Sequence, residues 1–226
     1  MVRSGLVGAA AFVLMSTTAA QTPPRGTING HVTLTTRVRG TALPSNVYQP
    51  RAVQSHDAAP IPEIKNVVVY LKDVAFRGTL PLAQPAIRQK NETFEPRVVA
   101  VTRGSTVDFP NDDPFFHNVF SLSSASNFDL GRYPKGRLKS TTFSKPGLVK
   151  VYCHLHSHMS ASILVLDHPF FTVPRLDGTF TLEDVPPGNY TIVGWHERVG
   201  ERVRAVQVQA GKPTTLELSL PVEEPQ

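Results

Sequence analysis

Residues 146–159 read PGLVKVYCHLHSHM: a strand-like alternation of apolar residues that runs into seven residues, five of which carry metal-binding side chains. Those five are Cys153, His154, His156, His158 and Met159, and Cys153 is the single cysteine of the chain. A strand ending on the thiol, with His156 three positions on and Met159 three further, lets one tight loop wrap three ligands around one ion. The fourth has to come from elsewhere. His117 is the candidate, because it opens an expected strand just after the NDDP turn that begins at Asn111.

The surrounding chain is patterned for β structure. Twenty prolines and fifteen glycines break up short runs rich in Val, Thr, Ile and Phe, and no long stretch keeps a helical period. The expected fold class is therefore all-β. Strands are expected at residues 27–36, 66–74, 97–100, 106–109, 117–121, 139–143, 148–153, 161–167, 179–182, 189–195, 203–209 and 214–220. The turns RGS from Arg103, KPG from Lys145, DG at Asp177 and PPG ending at Gly188 each separate two alternating runs, as antiparallel sandwiches require. Residues 42–62 carry several prolines without alternation and read as a long loop. A length of 226 residues with 40% hydrophobic content suits one large β domain or two small ones.

Residues 1–20 combine Arg3, an apolar run from Gly5 to Met15 and a small-residue end from Ser16 to Ala20. They are expected to be a Sec-type signal peptide, cut after Ala20, which places the chain in the periplasm. The apolar run is shorter than the roughly twenty residues of a spanning helix, and no transmembrane segment is expected in the mature chain. An oxidising compartment favours disulfides, yet Cys153 has no partner in the chain; a thiolate held by a metal is protected there. The net charge is +5 and the pI about 9.5, with Lys and Arg scattered rather than striped. Nucleic acid is excluded as a partner for an exported chain of this kind. An acidic protein partner or an anionic envelope surface fits the charge, and so does plain solubility.

One thiolate, two imidazoles and a weak thioether form the donor set of blue-copper electron-transfer centres. Zinc is the competitor, since Cys with two His can hold it in a tetrahedron, but a thioether is a poor zinc ligand. His154 and His158 are surplus: alternate side chains of a β-like segment point to opposite sides, so both are expected to face solvent. A second, labile metal ion or redox-coupled proton uptake is their other conceivable use. His31, His56, His168 and His196 are scattered and read as structural or exposed.

TFEP from Thr93, VTRGSTVDF from Val101, FHNVF from Phe116 and PGLVKVYC ending at Cys153 follow one another in an order that resembles the cupredoxin family. The likeness is to its amicyanin/plastocyanin-like, blue-copper members, among them methylamine-utilisation and plastocyanin-type periplasmic proteins. Cys-x-x-His-x-x-Met is similar to the family's shortest ligand loops. The resemblance implies a Greek-key β-sandwich and one type 1 copper ion. His117, Cys153 and His156 would then be the strong ligands and Met159 the weak axial one. Asn118 resembles the residue that ties the family's two ligand loops together, and Phe115, Phe116 and Leu155 would form the docking patch around His156.

TVPRLDGTFTLEDVPPGNYTIV, from Thr172 to Val193, resembles the transthyretin-like, or carboxypeptidase regulatory-like, β-sandwich, which has no catalytic chemistry of its own. GTINGHVTL from Gly26 and NVVVYL from Asn66 are similar to its opening strands. The expected domains are residues 26–75, with the loop 42–62, as the first half of this sandwich and residues 169–221 as the second. The cupredoxin, residues 84–168, is inserted between them; a tandem in which the N-terminal strands extend the cupredoxin sheet is the alternative. The expected function is a periplasmic carrier of single electrons, not an enzyme, serving a redox protein such as a c-type cytochrome or dehydrogenase. The alternative is a copper storage, delivery or sensing protein without an electron-transfer role.

Overall fold

The computed structural model describes residues 24–35 and 62–222. The expected signal peptide, His56 and all but the last residue of the loop 42–62 lie outside them. Within them the chain is all-β, with a single 3-10 turn at Glu63–Asn66, and no helix is long and apolar enough to cross a membrane. The strands are β1 (Gly26–Leu34), β2 (Val67–Lys72), β3 (Arg88–Lys90), β4 (Thr93–Glu95), β5 (Val98–Thr102), β6 (Thr106–Pro110), β7 (His117–Ser123) and β8 (Ser126–Tyr133). They continue as β9 (Leu138–Thr142), β10 (Gly147–Tyr152), β11 (Ser160–Leu166), β12 (Phe171–Thr172), β13 (Thr179–Val185), β14 (Gly188–His196), β15 (Gly200–Val208) and β16 (Pro213–Leu220).

The twelve strands expected from the sequence are present, with shifted ends; β3, β4, β8 and β12 were not anticipated. Three of these four have only two or three residues, too few to display a period. The fourth, β8, is the edge of its sheet and alternates between exposed and half-buried residues, so its apolar signal is weak.

Two sandwiches result. In one, the sheet β13-β1-β16 covers the sheet β12-β2-β14-β15. Ile28, Val32, Val69, Leu71, Phe180, Leu182, Ile192 and Leu218 share the core between them. Here β1 runs antiparallel to β13 and parallel to β16, and it pairs with no strand of the other sandwich. In that other sandwich, the sheet β5-β11-β10-β7-β8 faces the pairs β6-β9 and β3-β4. Two isolated parallel bridges, Ala86 to Asp108 and Gln89 to Asn111, stitch the β3 segment to the β6 segment. Phe109, Val119, Phe143, Val151, Ile163, Cys153 and Met159 lie in its core.

A seam joins the two. Val67, Val69 and Leu71 of β2 point into the first core, whereas Val68 and Tyr70 point outward to meet Val98 and Leu164, with Val193 and Trp195 beside them. That double burial explains why β2 reads as an unbroken VVVYL run rather than an alternating one. Strand β11 does the same from the other side, sending Ile163 and Val165 to the central core and Leu164 to the seam.

Gly30 is a packing requirement. A Cβ there would lie 2.3 Å from the Phe180 ring and 2.8 Å from the Leu216 carbonyl oxygen. Gly30→Ala is expected to destabilise the protein by about 1 to 3 kcal/mol, seen as a lower urea midpoint.

Two histidines are buried among the described residues away from the ligand loop. The His168 Nδ1 accepts the Phe170 N–H at 3.2 Å. The His196 Nε2 lies 2.9 Å from the Glu63 carboxylate, and its Nδ1 accepts the Arg198 N–H. Burial lowers both pKa values, opposed at His196 by Glu63. As the pH falls below about 6.5 the unfolded chain takes up protons before the folded one does. Stability is thus full above that pH and declines as the pH drops toward the lower folded values. The urea midpoint of metal-free protein is expected to be lower at about pH 5.5 than at about pH 7.5.

Candidate metal centre

The site lies at one end of the central sandwich, where β7 begins and β10 ends. Strand β10 stops at Tyr152, and the chain returns through residues 153–159 into β11. Within this loop the Met159 N–H donates to the His156 carbonyl at 2.9 Å, a tight turn that folds Met159 back toward His156.

His117, Cys153 and His156 converge. Their ligand atoms all lie within 4.8 Å of one another. The His117 and His156 Nδ1 atoms are 3.0 Å apart, and the Cys153 Sγ is 3.8 Å from the first and 3.9 Å from the second. His117 and Cys153 are buried and His156 is half-buried. Met159 is buried in the same core cluster as Cys153. The His156 pKa is lowered by burial first and by the neighbouring His117 second. Its ring is thus kept neutral, with a lone pair available, at ordinary pH.

Strand β7 shows how a β element can deliver adjacent residues to one site. Its pairing with β8 shifts register between Asn118 and Phe120, and His117, Asn118 and Val119 are buried in succession. Such an irregularity re-aims side chains that strict alternation would send to opposite faces. Asn118 thereby reaches the loop: its Oδ1 accepts the His154 N–H at 2.8 Å and lies 3.6 Å from the Cys153 Sγ.

The NDDP turn is held by its first residue. The Asn111 Oδ1 accepts the Asp113 N–H, while its Nδ2 donates to the carbonyls of Phe115 and Tyr133. Phe115 packs edge-on against His117 and tilted against His156, with ring centres 5.4 and 5.7 Å apart. Phe115, Phe116 and Leu155 are 39%, 54% and 39% exposed, and Phe115 is the one of them whose ring lies against the half-buried His156.

His154 and His158 are both exposed and stand apart from the donor group. The His154 ring lies over Phe120 with centres 3.7 Å apart, and the His158 Nε2 is 3.5 Å from the Glu92 carboxylate. His31 pairs with Glu217 and the Asp177 carbonyl, far along the chain from the site.

Asp113 escaped the sequence reading. Its Oδ2 lies 2.8 Å from the His117 Nε2, with both side chains buried. The signal was a carboxylate four positions ahead of the expected ligand, but an aspartate in an NDDP run is read first as a turn former.

No family model and no curated protein matches the chain. Among solved structures it is similar to a reduced mutant of amicyanin, at 21% identity over 36% of this chain and 80% of that one, with a TM-score of 0.34. It is similar to the Cu-containing nitrite reductase (NirK) from Thermus scotoductus SA-01, at 23% identity over 48% of this chain and 27% of that one, with a TM-score of 0.36. A purple cupredoxin from Nitrosopumilus maritimus matches at 24% identity over 34% of this chain and 84% of that one, with a TM-score of 0.31.

Replacing Asn118 by Ala leaves the His154 N–H without its acceptor. The variant is expected to lose about 1 to 3 kcal/mol of stability in the metal-free protein, measured by urea unfolding.

Proposed function

We propose that this chain is a periplasmic type 1 copper protein that carries single electrons between redox partners. His117, Cys153 and His156 are its strong ligands and Met159 the weak axial one. The supporting observation is the donor triangle of 3.0, 3.8 and 3.9 Å. Bonds of about 2.0 Å from nitrogen and about 2.3 Å from sulfur in a regular tetrahedron set nitrogen–sulfur gaps of about 3.5 Å and a nitrogen–nitrogen gap of about 3.3 Å. The observed gaps lie close to these, so the three donors are spaced to share one ion. Met159, buried in the same core cluster as Cys153, offers a thioether that suits copper better than zinc.

Bound copper would supply a one-electron couple. The chain's own residues keep the donor set from rearranging as the charge changes: Asn118 ties the thiol loop to β7, and Phe115 covers both imidazoles. The half-buried His156 edge, ringed by Phe115, Phe116 and Leu155, is the electron exit and docking patch. Asn118 and His117 pair with Arg132 and Tyr133. The exposed turn carrying Lys135 and Arg137 bonds back to Asn111. Arg132, Lys135 and Arg137 thus form a basic rim at the same end, which fits an acidic redox partner such as a c-type cytochrome or a dehydrogenase.

The pairing of β1 with β13 and β16 supports a division in which residues 84–168 are inserted into a transthyretin-like sandwich that mounts the metal domain. Export by residues 1–20 completes the proposal. The exposed His154 and His158 favour one second reading, copper storage or delivery, in which they pass the ion onward.

Copper-loaded protein is expected to show the intense visible thiolate-to-copper band and a reversible one-electron couple, both lost in Cys153→Ser. A colourless copper complex overturns the proposal. Rapid loss of copper to a chelator without a redox couple moves it to the second reading. Electron transfer to an acidic partner is expected to slow with rising salt, and Lys135→Glu is expected to flatten that dependence.

A further inference from the structure

We propose that Asp113 is the positioning residue of the centre. Its carboxylate fixes His117 in the tautomer that turns Nδ1 toward the metal, and its charge favours the oxidised ion. The proposal rests on the copper reading above. The His117 ring is fully buried, and its two nitrogens face groups of different chemistry. On its far side the Asp113 Oδ2 lies 2.8 Å from Nε2; on its near side Nδ1 faces the Cys153 Sγ and the His156 Nδ1. An ionised carboxylate only accepts, so Nε2 carries the ring proton and Nδ1 keeps its lone pair for the ion.

The carboxylate is itself fixed. Oδ1 accepts the Asn91 N–H at 2.6 Å, Oδ2 accepts the Glu92 N–H at 2.9 Å, and the Asp113 N–H donates to the Asn111 Oδ1. Asn91 and Glu92 form the turn between β3 and β4, with φ of 52° and 53°, a left-handed pair that non-glycine residues adopt at a cost. Asp113 accepts both turn N–H groups, so the hairpin tip is locked against the back of His117. The pair is 0% and 5% exposed, and a charge that close to the ion is poorly screened.

Three readouts test this. In the wild-type metal-free protein, nitrogen NMR at a pH where the ring is neutral is expected to show His117 protonated at Nε2. This needs neither copper nor a variant, so it stands even if the blue-copper reading fails. Asp113→Asn keeps an acceptor and removes the charge, and it is expected to raise the copper reduction potential. Asp113→Ala removes both, and it is expected to populate the other tautomer and to lower copper(II) affinity by about 10- to 100-fold. The proposal is overturned by an Nδ1–H tautomer in the wild type. It is equally overturned by variants whose potential, tautomer and affinity are unchanged and whose urea midpoint alone falls, because Asp113 would then only anchor the hairpin.

Discussion

Two imidazole nitrogens 3.0 Å apart, with a sulfur 3.8 and 3.9 Å from them, form an arrangement that side chains do not adopt unaided. Everything at this end of the protein is there to hold it. Each donor is secured by a different neighbour. The shifted register of β7 and β8 lets His117 and Asn118 both be buried at the site, Asn118 anchors the backbone just after Cys153, and Phe115 lies against both rings. The Met159 N–H closes the turn that carries His156. Distributing the task in this way makes the geometry a property of the sandwich rather than of the loop.

The second sandwich gives this assembly a fixed mount. Its seam with the central one is apolar at the centre and ionic at one margin. The Glu197 carboxylate, largely buried, receives Arg97 at 2.5 Å, Lys150 at 3.3 Å and the Ser162 hydroxyl at 3.4 Å. Lys150 also lies over the Trp195 ring. Charges buried in this way contribute little net stability, because desolvation offsets their attraction. Their directional bonds add a geometric constraint that Val68, Val98, Leu164 and Val193 alone do not supply.

How much of this was legible in the sequence depended on whether a residue's role leaves a pattern in its own neighbourhood. Cys153 and His156, three positions apart in one loop, announce themselves. His117 was found because a turn precedes it. The VVVYL run of β2 carried its double burial openly. Asp113 did not, since its partners are the His117 ring and the Asn91 and Glu92 amides across the fold, and only its spacing from His117 hinted at it. The β3–β4 hairpin was hidden for a related reason: its turn is Asn-Glu, not the Asn-Gly that left-handed pairs prefer, and the stabilising carboxylate comes from elsewhere. Strand β8 lacked signal because, at the sheet edge, its alternation runs between exposed and half-buried residues and needs few apolar side chains.

The placement of β1 between β13 and β16 also dictates an order of events. Its partners lie about 150 residues or more further along the chain. Every strand of the central sandwich, from β3 to β11, finds its neighbours within its own stretch. As the chain emerges N-terminus first, the half that carries His117, Cys153 and His156 can therefore close first. Strands β1 and β2 meanwhile wait with apolar faces uncovered until β13 to β16 arrive. The apolar surface left uncovered longest therefore belongs to the sandwich that carries none of His117, Cys153 and His156.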